Sequence, residues 1–386
     1  MEPFEGGESP VSQSESENLL IIADSEASAD LYYRTRFLVT VTVIYLEIDG
    51  RKIFLLNDLE YGRGRSEARV DEIVSTTPYE EALRAAKEPA RLTSVLDLYL
   101  KEKGIKQLTV PLSFPFGHAE RLREKGYKLR LKDDPIFPSR TIKTAEEIHA
   151  IEETQRHAEA ATDLAVSILK RSEIRGDWLF YEGRELTSEK LRLEIHKFLL
   201  ERECQASNTI VAGGDQGADP HHRGSGPLPA HKTIILDIFP RSIRTRYWGD
   251  MTRTVVRGKA SAAVKKLYKD VLDAQELAFS LIKDGAEGEK VHSEVAKLFK
   301  LRGNANEDVG IKKSGYIHST GHGLGLDIHE WPKIGRVETQ IKTGQVITVE
   351  PGLYYPGVGA VRLEDVVVVT ETGCRNLNRY PKELEV

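Results

Sequence analysis

The stretch HSTGHGLGLDIH sets His318, His322 and His329 among three glycines. Imidazole is both a metal ligand and a proton carrier near neutrality. Glycines on either side of His322 let the backbone turn around it with little side-chain bulk. A phosphate loop fits poorly, because no Lys-Ser/Thr pair follows the glycines. His221 and His222 form a second group in the Gly/Pro-rich run ADPHHRGSG. Four acids in the same half of the chain stand where acids are unfavourable. Asp237 lies inside TIILDIF, Asp250 directly precedes MTRTVV, Glu350 ends VITVE ahead of Pro-Gly, and Glu364 lies inside VRLEDVVVV. Taken singly, each reads as a buried ion pair or a turn cap. Four together, with a glycine-flanked histidine nearby, point to divalent cations, the partners that compensate converging carboxylates in an apolar setting. His149, His157, His196 and His292 fall in helical patterns and are assigned no task.

Strands must carry most of these groups. Side-chain alternation puts Asp237 on the face of Thr233 and Ile235, and Glu364 on the face of Arg362 and opposite Asp365. KTIILDIFP, MTRTVVRG, QVITVEPGLYYPG and GAVRLEDVVVVTETG read as strands, the last two separated by a turn containing Pro356, Gly357 and Gly359. Helices are expected where Ile148, Ile151, Ala158, Ala161, Leu164, Ala165 and Ile168 recur at helical spacing, and over KLRLEIHKFLLERE, VKKLYKDVLDAQELAFSLIK and EKVHSEVAKLFKLRG. This alternation gives an α/β (α+β) class. An α/β segment precedes it, with a hairpin at Asp49-Gly50, a helix over TSVLDLYLKEKG ended by Gly104, and a strand at QLTVP. The proline-bearing run KDDPIFPSRTIKT separates the halves. The expected organisation is a disordered acidic tail over 1–18, an N-terminal domain over 19–140 and a C-terminal domain over 141–386.

With 386 residues, two domains are expected. Net charge is −5 with the signs interspersed, which argues against a nucleic-acid partner. The first 18 residues hold five glutamates, no Lys or Arg and no apolar core, unlike a secretory signal. No apolar run approaches the length of a membrane span. Cys204 and Cys374 are too few for a disulfide framework or a Cys-rich zinc site. Together these indicate a cytoplasmic protein.

The series LDIFP, WGDMTRT, HSTGHGLGLDIHE, VEPGLYY and VRLEDVV, in that order, resembles the M24 metallopeptidases, the superfamily of methionine aminopeptidase, aminopeptidase P and prolidase. The likeness covers roughly residues 140–386 and implies the pita-bread fold. The first half is similar in layout to the N-terminal domain of the creatinase, prolidase and aminopeptidase P branch. The resemblance implies two divalent ions, Mn or Co first, with Zn or Fe also suited to the donors. Their implied ligands are Asp237, Asp250, His322, Glu350 and Glu364. Glu350, His329 and His221 are the implied catalytic groups, with His222 the alternative register for His221. His318 and Arg362 would orient the ligands.

The implied reaction is hydrolysis of an Xaa-Pro bond by a metal-bridging hydroxide, on dipeptides as in prolidase or on longer peptides as in aminopeptidase P. The short link between Glu350 and Glu364 resembles the dipeptidase. Proline-containing peptides are thus the implied partners, with no nucleic acid and no membrane, and the implied assembly is a homodimer. A creatinase-like C–N hydrolase and a non-catalytic peptide-binding module share the fold. Both have generally lost the ligand set, whereas all five residue types are present here. One departure is the run IFPRSIRTRYWG between Asp237 and Asp250, longer than the family's hairpin. A one-residue slip there would turn Asp250 to the opposite face.

Overall fold

The structure, a computed structural model, describes residues 18–304, 306, 308, 309 and 312–386. The expected acidic tail thus lies outside the described residues, apart from Asn18. The chain divides between Phe137 and Pro138 into two compact units.

The first unit is a six-stranded sheet with helices on it. Its strands are β1 (Leu19–Ala23), β2 (Val43–Ile48), β3 (Arg51–Leu56), β4 (Glu72–Ser75), β5 (Gln107–Pro111) and β6 (Lys128–Lys132), in the order β4-β3-β2-β1-β5-β6. Asp49 and Gly50 both adopt positive φ, as a tight two-residue hairpin between β2 and β3 requires. Alternate side chains feed two cores. Leu20, Ile22, Ile44 and Leu46 pack on one face, and Leu19, Ile21, Val43 and Tyr45 on the other. Both faces are therefore apolar, which is why the strands read as near-continuous hydrophobic runs.

The second unit carries the site. It opens with helix α1 (Ala145–Arg171), started by a capping box in which Thr144 and Glu147 exchange side-chain-to-backbone hydrogen bonds. Helix α2 (Ser188–Leu200) packs beside it over an antiparallel sheet of β7 (Ile210–Gly213), β8 (Thr233–Ile238) and β9 (Met251–Val256). Helices α3 (Ala262–Leu281) and α4 (Gly288–Leu301) cover a second sheet. It contains β10 (Gly321–Gly323), β11 (Glu330–Ile334), β12 (Val346–Val349), β15 (Asp365–Val369) and β16 (Cys374–Asn376), in the order β11-β10-β12-β15-β16. A hairpin of β13 (Gly352–Tyr355) and β14 (Gly359–Arg362) links β12 to β15.

The two longest strands expected from sequence are each interrupted. QVITVEPGLYY breaks at Glu350-Pro351 into β12 and β13, and AVRLEDVVVV breaks at Leu363-Glu364 into β14 and β15. The register nevertheless runs through the gap. Val349 pairs with Asp365 and Gly352 with Arg362, which sets Glu350 opposite Glu364 and Pro351 opposite Leu363. Proline has no N–H for a ladder. The Glu350 and Glu364 amides donate elsewhere, to the carbonyls of Thr320 and Thr252.

The last residues run beside β9. Val256 donates to Leu384, Val386 donates to Val256, and the buried Arg253 reaches the carbonyls of Tyr380 and Pro381. No helix among the described residues is long and apolar enough to cross a membrane.

Candidate metal centre

The β8–β9 register decides where the aspartates point. Asp237 pairs with Thr252, and Thr252 lies two residues beyond Asp250. All three therefore share one face, and the longer hairpin causes no slip. His322 enters from β10 between two close backbone approaches. A Cβ on Gly321 would lie 2.0 Å from the Thr348 carbonyl oxygen, and one on Gly323 would lie 2.2 Å from that of Trp331. Only glycine fits at either position.

Asp250, His322 and Glu364 each offer a donor atom within 4.8 Å of the others. His322 Nε2 stands 3.8 Å from Asp250 Oδ2 and 3.4 Å from Glu350 Oε1. Its Nδ1 donates to the Gly323 carbonyl at 3.1 Å, which leaves the Nε2 lone pair facing the acids. Asp237 is joined to Arg362, whose Nη2 donates to Oδ2 at 2.7 Å, while Asp237 Oδ1 is buried with no hydrogen-bond partner. Arg362 also donates from Nη1 to Tyr354 Oη at 2.8 Å and from Nε to Thr252 Oγ1 at 3.2 Å. Thr252 in turn donates to Glu364 Oε2 at 2.7 Å. His318 gives its Nδ1 proton to the Ser319 carbonyl and accepts from Tyr354 at Nε2, 2.9 Å away.

The electrostatics are those of a site built for added positive charge. Burial, then the charges of Glu364, Asp237 and Glu350, holds the Asp250 carboxyl well above its usual range. Burial, then Glu350 and Asp237, does the same to Glu364. Glu350 is pushed up to about 7, mainly by burial. Burial, reinforced by His329, drives His322 down to about 3, so its imidazole is neutral as a ligand must be. Among the described residues, Arg362 is the cation hydrogen-bonded to these side chains. One cation against three buried acids and the half-buried Glu350 leaves a deficit that divalent ions would fill, and the orphaned Asp237 oxygen marks a further donor.

The other expected residues divide. The His329 ring meets His322 edge-on at 4.3 Å between centroids, and burial, then His221, lowers its pKa. Glu330, the next residue, is clamped by Arg140 and Lys143. His221 is exposed at the rim, whereas His222 Nδ1 is occupied by the Gly224 amide at 3.0 Å. His221 is thus the freer of the pair.

This donor set suits divalent cations, and comparison with known proteins bears on its use. The profile of metallopeptidase family M24 matches residues 149–371, more than half of the chain. The chain belongs to this family. Its M24 relatives include an Xaa-Pro dipeptidase of Pyrococcus furiosus, 30% identical over 345 residues, covering 88% of each chain. A solved Xaa-Pro dipeptidase from Bacillus anthracis superposes with a TM-score of 0.80 at 25% identity, covering 96% of this chain and 95% of that one. A solved X-Pro aminopeptidase from Thermotoga maritima shares the fold, with a TM-score of 0.79 at 24% identity and coverage of 96% and 98%. The protein is therefore an M24 peptidase of two-unit, pita-bread architecture, a hydrolase whose family uses divalent metal ions.

Several groups of this M24 site were not singled out from sequence. Thr252 joins the arginine to Glu364, and Tyr354 joins it to His318. Buried His292, assigned no task, contacts Tyr316 Oη and Thr320 Oγ1 at 3.1 and 3.0 Å, beneath the Thr320 carbonyl that receives the Glu350 amide. Thr252 has a legible signal, since it alternates onto the aspartate face. His292 has none, because its partners lie 24 and 28 residues away.

Arg362→Met should destabilise the metal-stripped peptidase by about 3 kcal/mol, since it strands Asp237 as an uncompensated buried charge and frees the Tyr354 hydroxyl. Urea denaturation in chelator measures this. Arg362→Lys should recover little, because a single ammonium cannot serve the four acceptors of the planar guanidinium, Asp237, Tyr354, Thr252 and the Pro220 carbonyl. Wild-type stability in Arg362→Met would remove this arginine from the network.

Proposed function

We propose that this M24 peptidase hydrolyses Xaa-Pro bonds with two divalent ions held by Asp237, Asp250, His322, Glu350 and Glu364, manganese or cobalt being the first candidates. The observation that carries the reading is the set of acids converging on the His322 Nε2 lone pair, with Arg362 the one cation hydrogen-bonded to their side chains among the described residues. Support for the substrate comes from relatives of matching length named Xaa-Pro dipeptidase in Pyrococcus furiosus and Bacillus anthracis.

The chemistry that divalent ions supply in such a site is Lewis acidity, which polarises a carbonyl and acidifies water. The chain's own groups do the rest. Glu350 takes a proton from the attacking water and passes it to the leaving nitrogen. His329 and His221 face the substrate side, where an imidazole N–H can hold the oxygen that becomes negative. His329 stays neutral through burial and so donates without adding charge. Arg362, Tyr354 and His318 hold Asp237 from behind. A proline leaving nitrogen belongs to a tertiary amide without N–H, so recognition rests on the ring's shape and on the carbonyl.

We also read the enzyme as a cytoplasmic homodimer. The two unpaired cysteines fit a reducing compartment, and sedimentation would check the assembly. The defining assay compares an Xaa-Pro dipeptide with an Xaa-Pro-Xaa tripeptide on stripped protein, with and without Mn²⁺ or Co²⁺. Metal-dependent cleavage of the dipeptide alone is the expected result. Cleavage of the tripeptide with little dipeptide turnover would make the enzyme an aminopeptidase, and no cleavage of either would overturn the assignment.

A further inference from the structure

Two glutamines lie behind the acids, and no step of the reaction described above uses them. Gln275 sits on α3 in the inward stripe of Val271, Ala274 and Ala278, and Gln155 on α1 between Ile151 and Ala158. Both are 0% exposed. A primary amide in an apolar stripe is costly unless it is hydrogen-bonded. What it bonds to therefore indicates what holds it there.

Gln275 Nε2 donates to the carbonyls of Val349 at 2.9 Å and Leu363 at 3.2 Å. These are the peptide groups immediately ahead of Glu350 and Glu364. They flank the gap where the ladder is interrupted, where Pro351 has no N–H to offer Leu363 and both glutamate amides point elsewhere. Gln275 bridges that gap with a single amide group. Its Oε1 has no partner, so the side chain is placed for its two donors at the expense of its acceptor. Gln155 grips the third acid. The Asp250 amide donates to Gln155 Oε1 at 2.9 Å, and Gln155 Nε2 donates to the Asp250 carbonyl at 2.9 Å. Helix α1 comes close enough for this because residue 249 is glycine. A Cβ there would lie 2.9 Å from the Thr154 carbonyl carbon.

We propose that Gln275 and Gln155 are positioning residues for the acid cluster. Gln275 fixes the separation of Glu350 from Glu364, Gln155 fixes Asp250, and together they set the affinity and spacing with which the site takes its ions. The inference rests on the reading that the site holds divalent ions. It adds that the ligand spacing is set by two helices outside the sheets.

The test uses the full chain, stripped of metal, with Mn²⁺ as the probe. Gln275→Met and Gln155→Met keep side-chain length and remove the amide. Calorimetry gives stoichiometry and affinities at a temperature where circular dichroism shows each variant native, and electron paramagnetic resonance reports the coupling between neighbouring Mn²⁺ ions. Each variant should bind Mn²⁺ about 10–100-fold more weakly and change the coupled spectrum, although neither side chain touches an ion. Residues serving only the fold would lower the melting temperature in chelator and leave affinities and spectrum at wild-type values. That result would overturn the proposal. Should one methionine variant fail to fold, the other carries the same test. Wild type that takes up no Mn²⁺ would remove the metal reading itself, and this inference with it. Wild type that binds two ions, matched by the variants, removes this inference alone.

Discussion

Glu350→Gln is expected to lower kcat by about 10³-fold, within the range for loss of a positioned general base, while making the stripped protein more stable. Both effects have the same cause. Glu350 is half-buried in the electrostatic reach of Asp237, Asp250 and Glu364, and its carboxyl is held up to about 7. An amide of the same shape relieves that repulsion and cannot carry the proton. The backbone is left intact, because the residue's amide bonds to the Thr320 carbonyl and does not depend on its side chain. Activity lost together with a higher melting temperature in chelator is what a site strained for function gives. Dipeptide hydrolysis at saturating Mn²⁺ and a thermal melt without metal check the two halves. More than a tenth of wild-type kcat would remove Glu350 from its role as base. A lower melting temperature would mean that the four acids do not repel one another.

Stripped protein should lose stability as pH rises, and bound metal should cancel that loss. Folding raises the carboxyls of Asp250 and Glu364 well above their ordinary values and Glu350 to about 7. The folded chain therefore holds protons that the unfolded chain has already released. Stability from these groups is fully present below about pH 4, where the unfolded carboxyls titrate. It declines as pH climbs through the folded values, which for Glu350 means up to about 7. Up to about pH 6.5 the buried imidazoles of His318 and His322, each lowered to about 3, act in the opposite sense, so the fall is read above it: between pH 6.5 and 8 the melting temperature in chelator should drop by a few degrees, on the order of 3–5 °C. Mn²⁺ at a hundred times its Kd adds about 2.7 kcal/mol per site, and it gains affinity as the ligands deprotonate, so the slope should flatten or reverse. Calorimetric melts at several pH values, with and without Mn²⁺, measure both. A stripped melting temperature that rises above pH 6.5 would contradict a shared buried acid cluster.

The acids and His322 are legible in the sequence because each breaks a local pattern. Asp237 interrupts an apolar strand, Glu350 precedes Pro-Gly, and His322 stands between glycines that nothing larger could replace. The Asp49-Gly50 hairpin is legible for the same reason, since its conformation is local. The breaks at Glu350 and Glu364 are not. The register continues through them, so hydrophobic alternation looks unbroken. Gln155 and Gln275 stand out on their helices only as polar residues in apolar stripes, and their partners lie 74 to 95 residues away. Periodicity shows that such a residue is buried without showing what it touches.

The closing run beside β9 has a consequence for how the enzyme is made. Arg253 binds the carbonyls of Tyr380 and Pro381 across 127 and 128 residues, and Arg257 reaches Val386 across 129. The same arginine donates to the Glu364 carbonyl and to Asp365, so its setting is completed only from the far end of the unit. At roughly 5–20 residues per second on the ribosome, β9 waits on the order of ten seconds for this last partner. The first unit has all its strands in hand before that wait begins. During synthesis Arg253 therefore waits for Asp365, 112 residues on, and then for the closing run. That interval is when a chaperone or an early-arriving metal ion would have most to act on.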